Sequence, residues 1–115
     1  MSMDLEVWSE RAFDIPSWLP FANQWTAHGS EWALERDGWQ LLVSTEEDVD
    51  AQTEVLDRLP RARHRASVTL EPIGADEAGY VLLEAVVRGL AQQANGVWVD
   101  PNGHVLSSTE LPDEP

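Results

Sequence analysis

Residues 31–44, EWALERDGWQLLVS, decide the fold class. Trp32, Leu34 and Arg36 alternate with their neighbours up to Asp37-Gly38, and Trp39, Leu41 and Val43 alternate after it. A period of two belongs to strands, whose successive side chains point to opposite faces. Asp-Gly suits a two-residue turn between antiparallel strands, because such turns need backbone conformations with positive φ. The stretch therefore predicts a β-hairpin.

Helix signals follow on the C-terminal side. Ser44 stands three residues before Glu47, a capping-box spacing, and Glu46, Glu47 and Asp48 suit the positive end of a helix dipole. The spacing predicts a helix over 47–59, ending before Pro60. After a short basic link, Val68 and Leu70 alternate as a strand that runs up to Pro72. Residues 76–95 form a long helical segment with Gly96 at its C-cap. Residues 97–99 and 104–106 flank Asp100-Pro101-Asn102-Gly103, which is turn chemistry for a second hairpin. On the N-terminal side, Leu5, Val7 and Phe13, with Trp8, indicate an opening strand that ends before Pro16. Ser17 as N-cap, Pro20 in the first turn and Gly29 as a stop indicate a short helix over 17–28, an irregular Trp-rich loop being the alternative. The expected class is α+β, an antiparallel or mixed sheet with helices mainly on one face, in the order βαββαβαββ. One domain spans 1–106, and 107–115 forms a flexible acidic tail.

Composition narrows the function. A chain of 115 residues, 43% hydrophobic and 24% charged, is one globular domain. Its charge is one-sided: 21 Asp and Glu face seven Arg and no Lys, a formal charge of -14. Nucleic acid and anionic lipid both require surplus Lys and Arg, so both are excluded as partners and a basic protein is favoured. Zero Cys rules out disulfides and thiolate chemistry. The N-terminus carries Asp4 and Glu6 where a signal peptide carries basic residues. The most apolar run, 80–87, is interrupted by Glu84 and falls short of the roughly 20 residues of a membrane span. A cytoplasmic location is expected.

On a helix over 47–59, Glu47, Asp50, Glu54 and Asp57 fall into one acidic stripe, opposite Val49, Gln52, Leu56 and Leu59. This stripe is the candidate partner-binding surface; its plain reading is a solvated face that serves solubility. Arg58, Arg61, Arg63 and Arg65 form the alternative site, one that grips a small anionic ligand, unless they merely pair with neighbouring acids. His28, His64 and His104 share no ligand spacing, so no metal, cofactor or catalytic residue is assigned. Asp100 and His104 can meet across their turn, and the structural reading is preferred for them. Trp18, Trp25, Trp32 and Trp39 recur every seven residues, but Pro20, Gly29 and Gly38 interrupt the interval, so no coiled coil follows and most of these rings belong to the core. The apolar 80–87 segment is covered inside the fold or, in a homodimer, by a second subunit.

WQLLVS at 39–44, LEPIGA at 70–75 and LAQQANGVWVDPNG at 90–103 together resemble tracts of small bacterial α+β proteins, some of which are similar to immunity proteins that neutralise polymorphic toxins. The resemblance covers residues 31–106 and carries no active residue across. It implies an acidic, non-enzymatic protein that occludes a basic toxin surface. A small enzyme or ligand-binding domain built on the arginine cluster is the competing expectation.

Overall fold

The structure, a computed structural model, describes residues 3–13, 24–36, 38–71, 77–100 and 102–107. Among these residues seven strands and two helices follow one another as β1 (Met3–Ser9), β2 (Thr26–His28), β3 (Glu31–Arg36), β4 (Trp39–Glu46), α1 (Thr53–Arg58), β5 (His64–Glu71), α2 (Glu77–Gln93), β6 (Val97–Val99) and β7 (Val105–Ser107). The strands form one sheet in the order β2-β3-β4-β5-β1-β6-β7. Every pairing is antiparallel. The α+β class holds.

The hairpin at 31–44 forms with the expected register: Arg36 faces Trp39, so two residues connect the strands, and Gly38 adopts φ +90°. Alternation then separates the two faces. Leu5 and Val7 on β1, Leu41 and Val43 on β4, and Ala66, Val68 and Leu70 on β5 are buried against Leu83, Val86, Val87, Leu90 and Ala91 of α2. Trp39 and Trp98 belong to this core, and Trp25 and Trp32 pack on its margin. The rings therefore lie inward, as expected; Trp18 lies outside the described residues. Val81 on the outer side of α2 is 60% exposed.

Three features of the expected layout are corrected. The helix expected over 17–28 ends as strand β2, because Thr26–His28 pairs with β3; residues 14–23 lie outside the described residues. Among the described residues the order is thus ββββαβαββ. The helices do not share a face: Val55 of α1 packs with Trp8, Val97 and Ala62, on the side of β1 opposite Leu5 and Val7. The helix expected over 47–59 is only the six-residue α1. Strand β4 continues through Glu46, Asp48 takes φ +55°, and Gln52 occupies the N-cap without a side-chain hydrogen bond. Ser44 is thereby a strand residue, and the capping box with Glu47 does not form. The inward residue of α1 is Val55, fully buried, while Leu56 is 37% exposed.

The end of α2 also differs in detail. Asn95, at φ +56°, takes the left-handed position expected of Gly96. The amide of Gly96 donates to the carbonyl of Ala91 (2.7 Å) and that of Asn95 to Gln92 (3.2 Å), the paired bonds of a Schellman cap. Glycine is needed at 96 for a different reason: a β-carbon there would collide with the carbonyl oxygen of Trp8. At the C-terminus Ser107 belongs to β7, and its carbonyl accepts the indole N–H of Trp98 at 3.1 Å. The remainder of the expected tail, 108–115, lies outside the described residues.

Candidate protein-binding face

The strands bury one face under α2, and the same alternation assigns the other face. Register carries Asp4 to Thr69, Leu42, Ala33 and Thr26 in one row across the sheet. The next row runs from Glu6 through Ser67, Ser44 and Glu31 to His28. A third joins Trp8, Arg65 and Glu46, and a fourth Glu71, Gln40 and Glu35. The outward set is thus a platform of small hydroxyl and aliphatic groups among the carboxylates of Asp4, Glu6, Glu31, Glu35, Glu46 and Glu71. Only the Trp8 corner is covered among the described residues, by α1 and its flanking links.

Local contacts hold this face in shape. The Thr69 hydroxyl donates to Asp4 Oδ1 at 2.6 Å, and the Gln40 amide donates to Glu71 Oε2 at 2.9 Å. Arg65 sits between Glu46 (2.5 Å) and Glu6 (3.8 Å), with its guanidinium 5.5 Å from the Trp8 ring centroid. The indole N–H of Trp8 donates to Glu6 at 3.0 Å. Arg65 therefore neutralises part of two carboxylates and roofs an aromatic ring. Glu31 and Glu35 enter no ion pair among the described residues and are exposed.

The four acids of the expected stripe occupy one continuous segment but not one helical face. Glu47 lies in the bend after β4, Asp50 in the link, and only Glu54 and Asp57 on α1. All four are exposed, and none enters an ion pair among the described residues. Since α1 packs on the Trp8 side of the sheet, this segment and the acidic platform share one side of the molecule.

The arginine cluster is divided. Arg65 is held by Glu46 and Glu6, Arg63 pairs with Asp48 at 3.4 Å, and Arg58 and Arg61 are exposed on α1 and the turn after it. The bland expectation, internal pairing with neighbouring acids, is met by Arg63 and Arg65, and Arg58 also makes a contact within the chain. Elsewhere Asp100 and His104 meet as expected: Asp100 Oδ1 accepts the backbone amides of Asn102 (3.0 Å) and His104 (2.8 Å), and His104 Nδ1 lies 3.5 Å from Oδ2. The side chain of Asp100 has no solvent exposure and organises the turn. The described residues contain no group of three His, Cys, Asp or Glu placed to hold a metal ion. No described helix is long and apolar enough to cross a membrane.

The sheet-face acids were not singled out from the sequence, although a signal was there. Asp4 and Glu6 alternate with Leu5 and Val7, and Glu31 and Glu35 flank Leu34 at strand spacing, so each carboxylate is tied to a core residue by period two. No family model, curated protein or solved structure matches this chain.

Proposed function

We propose that this chain is a non-enzymatic binding protein that covers a basic surface of another protein, in the manner of an immunity protein over a toxin. One observation carries the reading: the acidic platform and the exposed acids Glu47, Asp50, Glu54 and Asp57 lie on the same side, while α2 closes the other. Carboxylates gathered on one side present a directed field, which speeds encounter with a cation and aligns it. On this reading the surface acts by occlusion, covering the partner's cationic patch with carboxylates of opposite sign.

The test is comparative capture at low salt from a lysate of the source organism, with the wild type and a variant carrying Glu54→Lys, Asp57→Lys and Glu35→Lys. The expected result is a basic protein held by the wild type, released by salt and lost from the variant. Association of the purified pair slows markedly for the variant at low salt and much less at high salt. Equal capture by both proteins would remove this side from the interface.

The arginine-based reading retains one supporting observation, an open groove bordered by Arg61 and Arg63. Thermal unfolding with phosphate and with small carboxylates tests it. A site filled at 100 times its dissociation constant adds about 2.7 kcal/mol. An unchanged midpoint eliminates an anion site.

A further inference from the structure

Beside α1 lies an open groove of about 580 Å³, floored by Val49, Ala51, Leu56, Pro60 and Ala62. Leu56 is, with Val81, one of two large hydrophobic residues that the described surface leaves exposed, and Val81 lies on the opposite side, on α2. The groove is held by backbone contacts rather than by side chains alone. The amide of Val49 donates to the carbonyl of Arg63 at 3.0 Å, drawing its two walls together, and the amide of Arg61 donates to Glu10 Oε2 at 2.9 Å. Its shape therefore exists before anything binds.

Charge at the margin indicates what suits it. Asp48 neutralises Arg63, leaving Arg61 as the lining guanidinium without a carboxylate partner among the described residues. The lining itself carries Asp50 with Arg61 and Arg63, and the segment that builds the groove, residues 47–63, adds Glu47, Asp48, Glu54 and Asp57 against Arg58, which leaves its surroundings net negative. An apolar floor within a net negative margin is complementary to a protruding hydrophobic side chain set among cations. Binding interfaces concentrate energy in such anchors, with charged residues around them.

We infer that this groove seats one large apolar side chain projecting from the basic surface of the partner, an inference that rests on the basic-partner reading above. The anchor supplies residence time, and the acidic surroundings supply encounter rate.

The probes are two short oligolysine peptides, one with a central Trp and one with Gly in its place, titrated into the 15N-labelled protein at low salt. The Trp peptide shifts the amides of Val49, Ala51, Leu56 and Ala62 and binds about tenfold more tightly than the Gly peptide, which corresponds to about 1.4 kcal/mol. Leu56→Gln, at a part-exposed position that tolerates a polar group, reduces the Trp peptide to the affinity of the Gly peptide, whereas Val81→Gln leaves it unchanged. Equal affinity of the two peptides, or a Trp advantage that survives Leu56→Gln, overturns the anchor. Failure of both peptides to bind overturns the basic-partner reading itself.

Discussion

Gly96 and Trp8 are in backbone contact, with no space for a β-carbon between them. This contact joins the end of α2 to strand β1, which lies between β5 and β6, at the place where the chain turns into β6. Gly96→Ala must push either the Schellman cap or the β1–β6 pairing out of place, and backbone cannot yield as a flexible side chain can. A loss of about 1–3 kcal/mol is expected, the usual range for forced overpacking. Urea unfolding measures it, and Asn95→Ala, which strains only the left-handed residue, gives the comparison.

Ser9 and Arg11 both address the C-terminal carbonyls of α2. The buried Ser9 hydroxyl donates to Ala94 O at 3.0 Å, and Arg11 donates through Nε to the same oxygen (3.1 Å) and through Nη2 to Gln93 O (2.6 Å). Ser9→Ala should cost about 1 kcal/mol, and Arg11→Ala about 0.3–1 kcal/mol from loss of a cation at a helix C-terminus. Because the two share one acceptor, the double variant should lose about 0.5 kcal/mol more than the sum. A strictly additive double-mutant cycle in urea would show that they act independently.

Arg65 combines two roles that substitution can separate. Arg65→Ala removes both the charge between Glu6 and Glu46 and the cover over Trp8, while Arg65→Met keeps most of the cover. The guanidinium is partly solvated, so the ion pairs count for little and the packing for more. The methionine variant should retain about 1 kcal/mol more stability than the alanine variant. Equal losses in thermal or urea unfolding would assign the effect to charge.

Asp100 is required by its turn rather than by chemistry. Asp100→Ala leaves the amides of Asn102 and His104 without their acceptor, at a cost of about 1–3 kcal/mol, whereas Asp100→Asn supplies the same oxygen and should stay within about 1 kcal/mol of wild type. Chemical denaturation of the pair decides between a turn role and a need for negative charge.

The charge imbalance has a consequence for the free protein. With a formal charge of -14 and six carboxylates on one sheet face, self-repulsion opposes folding. Raising NaCl from about 10 mM to about 150 mM shortens the Debye length from about 30 Å to about 8 Å and should raise the thermal midpoint. Glu35→Gln should raise the low-salt midpoint and reduce its dependence on salt.

Most strands were legible because their signals are local. Asp37-Gly38 and the Asp100–Gly103 tetrapeptide lie between alternating tracts, and the turns form where those residues stand. The helix expected over 47–59 rested on an equally local sign, Ser44 with Glu47, but β5 offered competing partners: Thr45 pairs with Ala66, and Glu46 with Arg65, backbone and side chain alike. Cross-strand pairing thus extended β4 through the cap position, leaving only α1 helical. Thr26–His28 departs from the expected helix for the same reason, since its strand character comes from β3. The acids of 47–57 are visible in the sequence as a run, but the extension of β4 and the late start of α1 forbid one helical stripe. The acidic platform was harder to see, because it brings together residues as distant as Asp4 and Thr69 through register alone.

Among the described residues the two edges of the sheet, β2 and β7, are each three residues long. Such short edges offer a poor template for the strands of another molecule. Period-two alternation keeps the outward side chains out of the core under α2, so substitutions at exposed outward positions such as Glu31 and Glu35 leave that core intact.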